Sequence, residues 1–156
     1  MSVINGKAYW AAVASPNTTF DPDGMWTVDV CNLDEKNVKL AKKDGISIKN
    51  KGDDRGDFVT IKRKVRRKDG GMNRAPELMD AQKRTLSNVM IGNGSVVNVL
   101  YNTYDWEYRG RQGTSADLRS VQVVDLIPYN SDSDEAFDVV EGYNSTDAVD
   151  EDINFN

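Results

Sequence analysis

Alternation of apolar and polar positions organises most of this chain. Met25 to Cys31 sets Trp26, Val28 and Val30 against Thr27 and Asp29, the period of two expected of a half-buried strand. Lys7 to Ser15 is largely apolar and stops at the turn signal Ser15-Pro16-Asn17, which predicts another strand; Trp10 in this one and Trp26 in the other are core candidates. From Asn32 to Gly45 the spacing changes. Leu33, Asn37, Val38, Leu40 and Ala41 among lysines suit a short amphipathic helix, capped by Asn32 or Asp34 and ended by Gly45.

After the polar loop Lys49 to Gly56, alternation resumes from Asp57 to about Arg67, with Val59, Ile61 and Val65 on one side and Thr60, Lys62, Lys64 and Arg66 on the other. Asp69-Gly70-Gly71 ends that strand, and Pro76 to Gln82 suits either a helix with Pro in its first turn or a short extended segment, of which the extended reading is favoured. Gly92-Asn93-Gly94 is a tight turn into a long strand, Ser95 to Tyr108, whose faces carry Val97, Val99 and Tyr101 against Asn98, Asn102, Tyr104, Trp106 and Tyr108. A flexible loop with Gly110 and Gly113 follows. The last strand spans Asp117 to Ile127, with Val121, Val123 and Ile127 inward and Pro128 as its stop.

Charge divides the chain in two. All 20 Lys and Arg precede Asn130 and face 16 of the 25 carboxylates, so residues 1–129 carry +4, while residues 130–156 carry −9 and bring the total to −5. The expectation is a mostly β domain over residues 1–129 and a disordered acidic tail over 130–156 with a hydrophobic tip. Small sandwiches, SH3-like barrels and the five-stranded OB barrel all accommodate such a domain with one or two short helices. The charge and aromatic pattern favours the OB barrel.

Composition narrows the chemistry. There is no His and one Cys, so the usual zinc sites, His-based triads and an internal disulfide are excluded, and Cys31 reads as a buried structural thiol. No cofactor is implied, and a non-enzymatic protein is expected. An enzyme would need a carboxylate metal site, for which Asp53, Asp54 and Asp57 are the compact candidate. No stretch approaches about 18 apolar residues, and Met1 to Gly6 lacks a basic region followed by an apolar run, so no membrane association or export is expected.

The densest signal is Lys62 to Lys68, six cations in seven residues. On a strand, Lys62, Lys64 and Arg66 project from one face about 7 Å apart, close to the repeat of an extended phosphate backbone. A solvated edge strand also carries lysines, but so many unbalanced cations on one short strand favour nucleic acid. Tyr104, Trp106 and Tyr108 share a face beside Arg109 and Arg111, an arrangement that suits base stacking next to phosphate ligands and equally suits a core. Arg55-Gly56-Asp57, three Asn-X-Ser/Thr sequons and the Gly92-Asn93-Gly94 turn match familiar motifs by chance or without their required context.

Three features together resemble the single-stranded DNA-binding proteins of tailed bacteriophages: Lys7-Ala8-Tyr9-Trp10 through Val30; Ile91-Gly92-Asn93-Gly94-Ser95 leading to Tyr104-Asp105-Trp106; and Leu118 to Leu126 followed by an acidic tail. The resemblance covers most of the chain. It implies an OB-fold, binding of single-stranded DNA with duplex as a weaker ligand, and work in DNA replication, recombination and repair in the cytoplasm of an infected bacterium. It also implies partner contacts with replication or recombination proteins through Asp150, Glu151, Asp152, Ile153 and Phe155, and a tail-supported homodimer. The tip is similar to the Phe-terminated tail of bacterial counterparts, except that Asn156 follows Phe155, so a pocket clamping both the terminal ring and its carboxylate is mismatched. A protein-interaction or virion-associated adaptor with a basic patch is the alternative reading.

Overall fold

The computed structural model describes residues 1–19, 21–87 and 89–128. The predicted tail, with Asp150, Glu151, Asp152, Ile153 and Phe155, lies outside them. Six strands and one helix follow in the order β1 (Ser2–Asn17), β2 (Met25–Cys31), α1 (Glu35–Lys43), β3 (Val59–Lys64), β4 (Glu77–Met79), β5 (Ser95–Tyr108) and β6 (Arg111–Asp125). β1 pairs antiparallel with β2 and β5, β2 with β3, and β5 with β6. One parallel pairing, Lys62↔Asp117, joins β3 to β6 and closes the ring β1-β2-β3-β6-β5. This is the five-stranded barrel of an OB-fold, closed unevenly, with β4 lying parallel to β6 beyond the point where β3 leaves it.

The inward positions are those that alternation marks. Val28 and Val30 from β2, Val59 and Ile61 from β3, Val97, Val99 and Tyr101 from β5, and Val121 and Val123 from β6 fill one core together with Ile4 and Ala8. Each aliphatic side chain so buried contributes about 1.5–3 kcal/mol. Ile127 departs from the expectation: it lies past the end of β6 and is exposed. Cys31 is fully buried, and desolvation pushes its thiol up to about 12, which keeps it protonated and unreactive.

Asp34 is the N-cap of α1, its carboxylate accepting the Asn37 amide N–H at 2.9 Å, and Gly45 follows the helix at φ +80°. Asn37 ties the helix to β1 by accepting the Asn5 backbone N–H at 2.9 Å. The third predicted strand is shorter than its alternation suggested. Beyond Lys64 the chain keeps only an isolated bridge, Arg66↔Met72.

Gly92 and Ser95 set the geometry at the far end of β6. Gly92 donates to the Ile127 carbonyl at 2.8 Å, and a Cβ there would stand 2.5 Å from that oxygen. The buried Ser95 hydroxyl donates to the Gly92 carbonyl at 2.8 Å and accepts the Ile127 N–H at 2.8 Å. The chain therefore leaves the barrel at a fixed point beside the turn that precedes β5.

Candidate nucleic-acid interface

Trp10 is the residue around which the outer face of β1, β2 and β3 is organised. Between the pairs Tyr9↔Asp29 and Ala12↔Thr27, β1 advances three residues while β2 advances two, so β1 carries a bulge. Trp10 sits in it at φ 54°, a left-handed conformation costing a non-glycine residue about 1–3 kcal/mol. Its backbone N–H donates to the Asn93 side-chain oxygen at 2.9 Å, and Gly94 next door donates to the Ala8 carbonyl at 2.9 Å. The turn before β5 thus holds the bulge through two hydrogen bonds. Without the extra residue Trp10 would follow Ile4 and Ala8 inward; with it, the ring is 62 % exposed. This corrects the expectation of a core tryptophan at Trp10, whereas Trp26 is buried as expected.

The exposed ring overlooks an open cleft of about 370 Å³ lined by Met25, Thr27, Thr60 and Lys62, with Asp29 at one end. Tyr9 stands edge-on to Trp10, centroids 6.4 Å apart and planes at 65°. Asp29 would oppose an anionic ligand, but its carboxylate accepts the Thr60 hydroxyl at 2.8 Å and stands 3.8 Å from Arg55. Arg55 in turn lies 4.7 Å over the Phe58 ring and holds Asp53 at 2.9 Å. Asp57 accepts from Asn50 at 3.0 Å, and among the described residues no three His, Cys, Asp or Glu stand close enough to hold a metal ion, so Asp53, Asp54 and Asp57 form no such cluster.

The cations of residues 62–68 divide into two kinds. Lys62 and Lys64 lie on the outer face of β3 opposite Thr27 and Met25, exposed, with no carboxylate within 4.0 Å among the described residues. Arg63, between them in sequence, is largely buried and holds both Asp117 oxygens at 2.9 and 2.7 Å. Arg66 lies beyond the strand, 3.6 Å from Asp23 in the β1–β2 loop, and Arg67 pairs with Asp69. The expected three-cation row is thus two lysines on a strand and one arginine tethered at its end.

The Gly110–Gly113 region is a hairpin, not a loop. Arg109 and Gly110 both have positive φ, 50° and 79°, and form a two-residue turn that pairs Tyr108 with Arg111 and Trp106 with Gly113. Gly113 is required there. A Cβ on it would stand 2.5 Å from the Trp106 indole, so the ring lies across the backbone of the opposite strand. Tyr104, Trp106 and Tyr108 are 47 %, 39 % and 62 % exposed, and the Arg109 guanidinium sits 5.1 Å over the Tyr108 ring. Paired residues share a face, so Lys62↔Asp117, Asn102↔Asp117 and Tyr104↔Ser115 carry the outer face of β3 onto the aromatic side of this hairpin. Asp105 and Glu107 occupy its other side, where Asp105 accepts the Thr114 hydroxyl at 2.9 Å.

No protein-family model and no curated protein sequence matches the chain. Solved structures do. Over 91 % of this chain and 97 % of the other, it superposes on gp2.5, a single-stranded DNA-binding protein encoded by bacteriophage T7, with a TM-score of 0.62 and 19 % identity. The chain has the fold of phage single-stranded DNA-binding proteins. The bacteriophage Enc34 protein, solved in complex with single-stranded DNA, matches with a TM-score of 0.59 and 12 % identity over 81 % of this chain and 87 % of that one. In OB barrels generally, the second and third strands and the loops after the first and fourth barrel strands meet oligonucleotides. Here those parts are β2, β3, the Asn17–Met25 connection and the β5–β6 hairpin, which are the elements that carry Lys62, Lys64 and the exposed hairpin aromatics.

Proposed function

We propose that this protein binds single-stranded DNA without sequence preference along the outer face of β1, β2 and β3. The observation that carries the reading is Trp10, held outward on a strained bulge beside Lys62 over an open cleft. A base stacks on Trp10, Lys62 and Lys64 take successive phosphates, and Arg66 follows when it exchanges Asp23 for DNA. Tyr104, Trp106 and Tyr108, with Arg109 and Arg111, extend the platform along the hairpin. Stacking is worth about 1–3 kcal/mol per base and tolerates any sequence, because every base has a flat face.

The role that follows is protection of single strands during phage DNA replication, recombination and repair in an infected bacterium. Residues 130–156 compete for the basic face and recruit replication or recombination proteins through Asp150, Glu151, Asp152, Ile153 and Phe155. Asp105 and Glu107 on the back of the hairpin favour a second reading, an adaptor that meets a protein there.

Titration with labelled single-stranded, duplex and RNA oligonucleotides across salt concentrations separates the two. The Lys62→Ala, Lys64→Ala, Arg66→Ala variant is expected to weaken all single-stranded sequences alike and to flatten the slope of log K against log salt by about 0.7 per lost contact. Truncation after Tyr129 is expected to tighten binding, most at low salt. Absence of any single-strand binding at low salt would favour the adaptor.

A further inference from the structure

Beyond the cleft at Trp10, a second and smaller basic cleft opens where β3 and β4 share the edge of β6. It measures about 180 Å³ and is lined by Arg63, Arg74 and Arg119, with Met1, Leu100 and Leu118 as its apolar walls. Two carboxylates bear on it, Glu77 in its lining and Asp117 beside it. Asp117 is neutralised by Arg63, which grips both its oxygens, and Glu77 accepts the Ser120 hydroxyl at 3.3 Å. Arg119 stands 3.4 Å from Asp117 and keeps 39 % of its side chain exposed, while Arg74 is exposed with no carboxylate within 4.0 Å among the described residues. The backbone at Arg74 is held against the cleft, because Arg63 Nε donates to the Arg74 carbonyl at 2.9 Å.

We infer that this arginine cleft is a second phosphate site, which receives the backbone of a DNA strand after it has passed Lys62 and Lys64. The inference rests on the reading of the first cleft as a single-strand groove. Continuity supplies the argument: Asn73 donates from its side chain to the Lys64 carbonyl at 2.7 Å and from its backbone to the Val65 carbonyl at 2.8 Å, so Arg74 begins where the outer face of β3 ends. Guanidinium forks match phosphate oxygens in pairs, which suits arginine here more than lysine. A strand too short to reach beyond Lys64 would not use it.

The test is a length series of oligo-dT, from about 6 to about 16 nucleotides, within the span that one OB barrel covers. It uses the full chain and an Arg74→Gln, Arg119→Gln double variant, with thermal melting confirming that both are folded. The double variant is expected to bind the short oligonucleotide as the parent does, to lose about tenfold on the long one at low salt, and to show a salt slope smaller by about 1.4 on the long one only. Arg74→Lys, Arg119→Lys should restore most of the charge-dependent slope. An equal loss on both lengths, or no loss on the long one, would overturn the arginine site while leaving the groove intact. Failure of the parent to bind either length would instead reject the groove reading on which the site rests.

Discussion

Two tryptophans in neighbouring strands illustrate how one residue's backbone decides its role. Trp26 follows the alternation of β2 and is 7 % exposed in the core, whereas Trp10 is turned out by the bulge it occupies in pairing with the same strand. Trp26→Ala is expected to cost about 3–5 kcal/mol of stability, the scale of a large aromatic removed from a core. Trp10→Ala is expected to leave the melting temperature nearly unchanged and to cost about 1–3 kcal/mol of oligo-dT affinity. Calorimetry and fluorescence titration of the two variants check this, and a large stability loss for Trp10→Ala would contradict its placement. The bulge was legible in part. Lys7 to Ser15 runs apolar without alternation, and the buried positions slip from even (Ile4, Ala8) to odd (Val13), but Asn93, the residue that holds the slip, lies 83 positions away.

Among the elements, β2 and the start of β5 were readable to the residue, because alternation and a glycine turn bound them. The β5–β6 hairpin was not. Gly110 and Gly113 look alike in sequence, yet the first makes the turn and the second lies within β6 to admit the Trp106 ring. Gly113→Val is therefore expected to keep the fold, to displace Trp106 and shift its emission, and to weaken oligo-dT binding by about 1–3 kcal/mol if that ring stacks on bases. Unchanged affinity with a shifted emission would remove Trp106 from the interface. The charges were legible only as a density, since the partners of Arg63 and Arg66 are Asp117 and Asp23, on elements that sequence does not place.

The helix end offers a pH prediction. Hydrogen bonds from the Ser2 hydroxyl and, at 2.7 Å, from the Tyr101 phenol hold the Asp44 carboxyl below the usual carboxylate range. The folded state therefore binds its proton at lower pH than the unfolded chain, whose aspartates titrate near about 3.9. The contribution is present in full above that pH and is lost as pH falls through the depressed folded value. Asp44→Asn is expected to lower stability at neutral pH and to make it less sensitive to acid below about pH 4. Parallel acid-unfolding curves for parent and variant would contradict this.

At the scale of the whole molecule, a net acidic chain presents a basic face because its charges are segregated: +4 over residues 1–129 and −9 over residues 130–156. The barrel adds what composition cannot, a direction. Its outer face runs from Trp10 across Lys62 and Lys64 and on to the hairpin aromatics, on the strands and connections that an OB barrel offers to an oligonucleotide. The central claim, that a single strand lies on this face against Trp10, is tested most directly by a protein in which Trp26 and Trp106 are replaced by Phe, so that Trp10 is the only tryptophan and is excited selectively over tyrosine. Titration with oligo-dT is expected to quench its fluorescence to saturation, with a midpoint that rises with salt. Saturable binding of the same oligonucleotide by an independent readout, with Trp10 emission unchanged, would contradict the account.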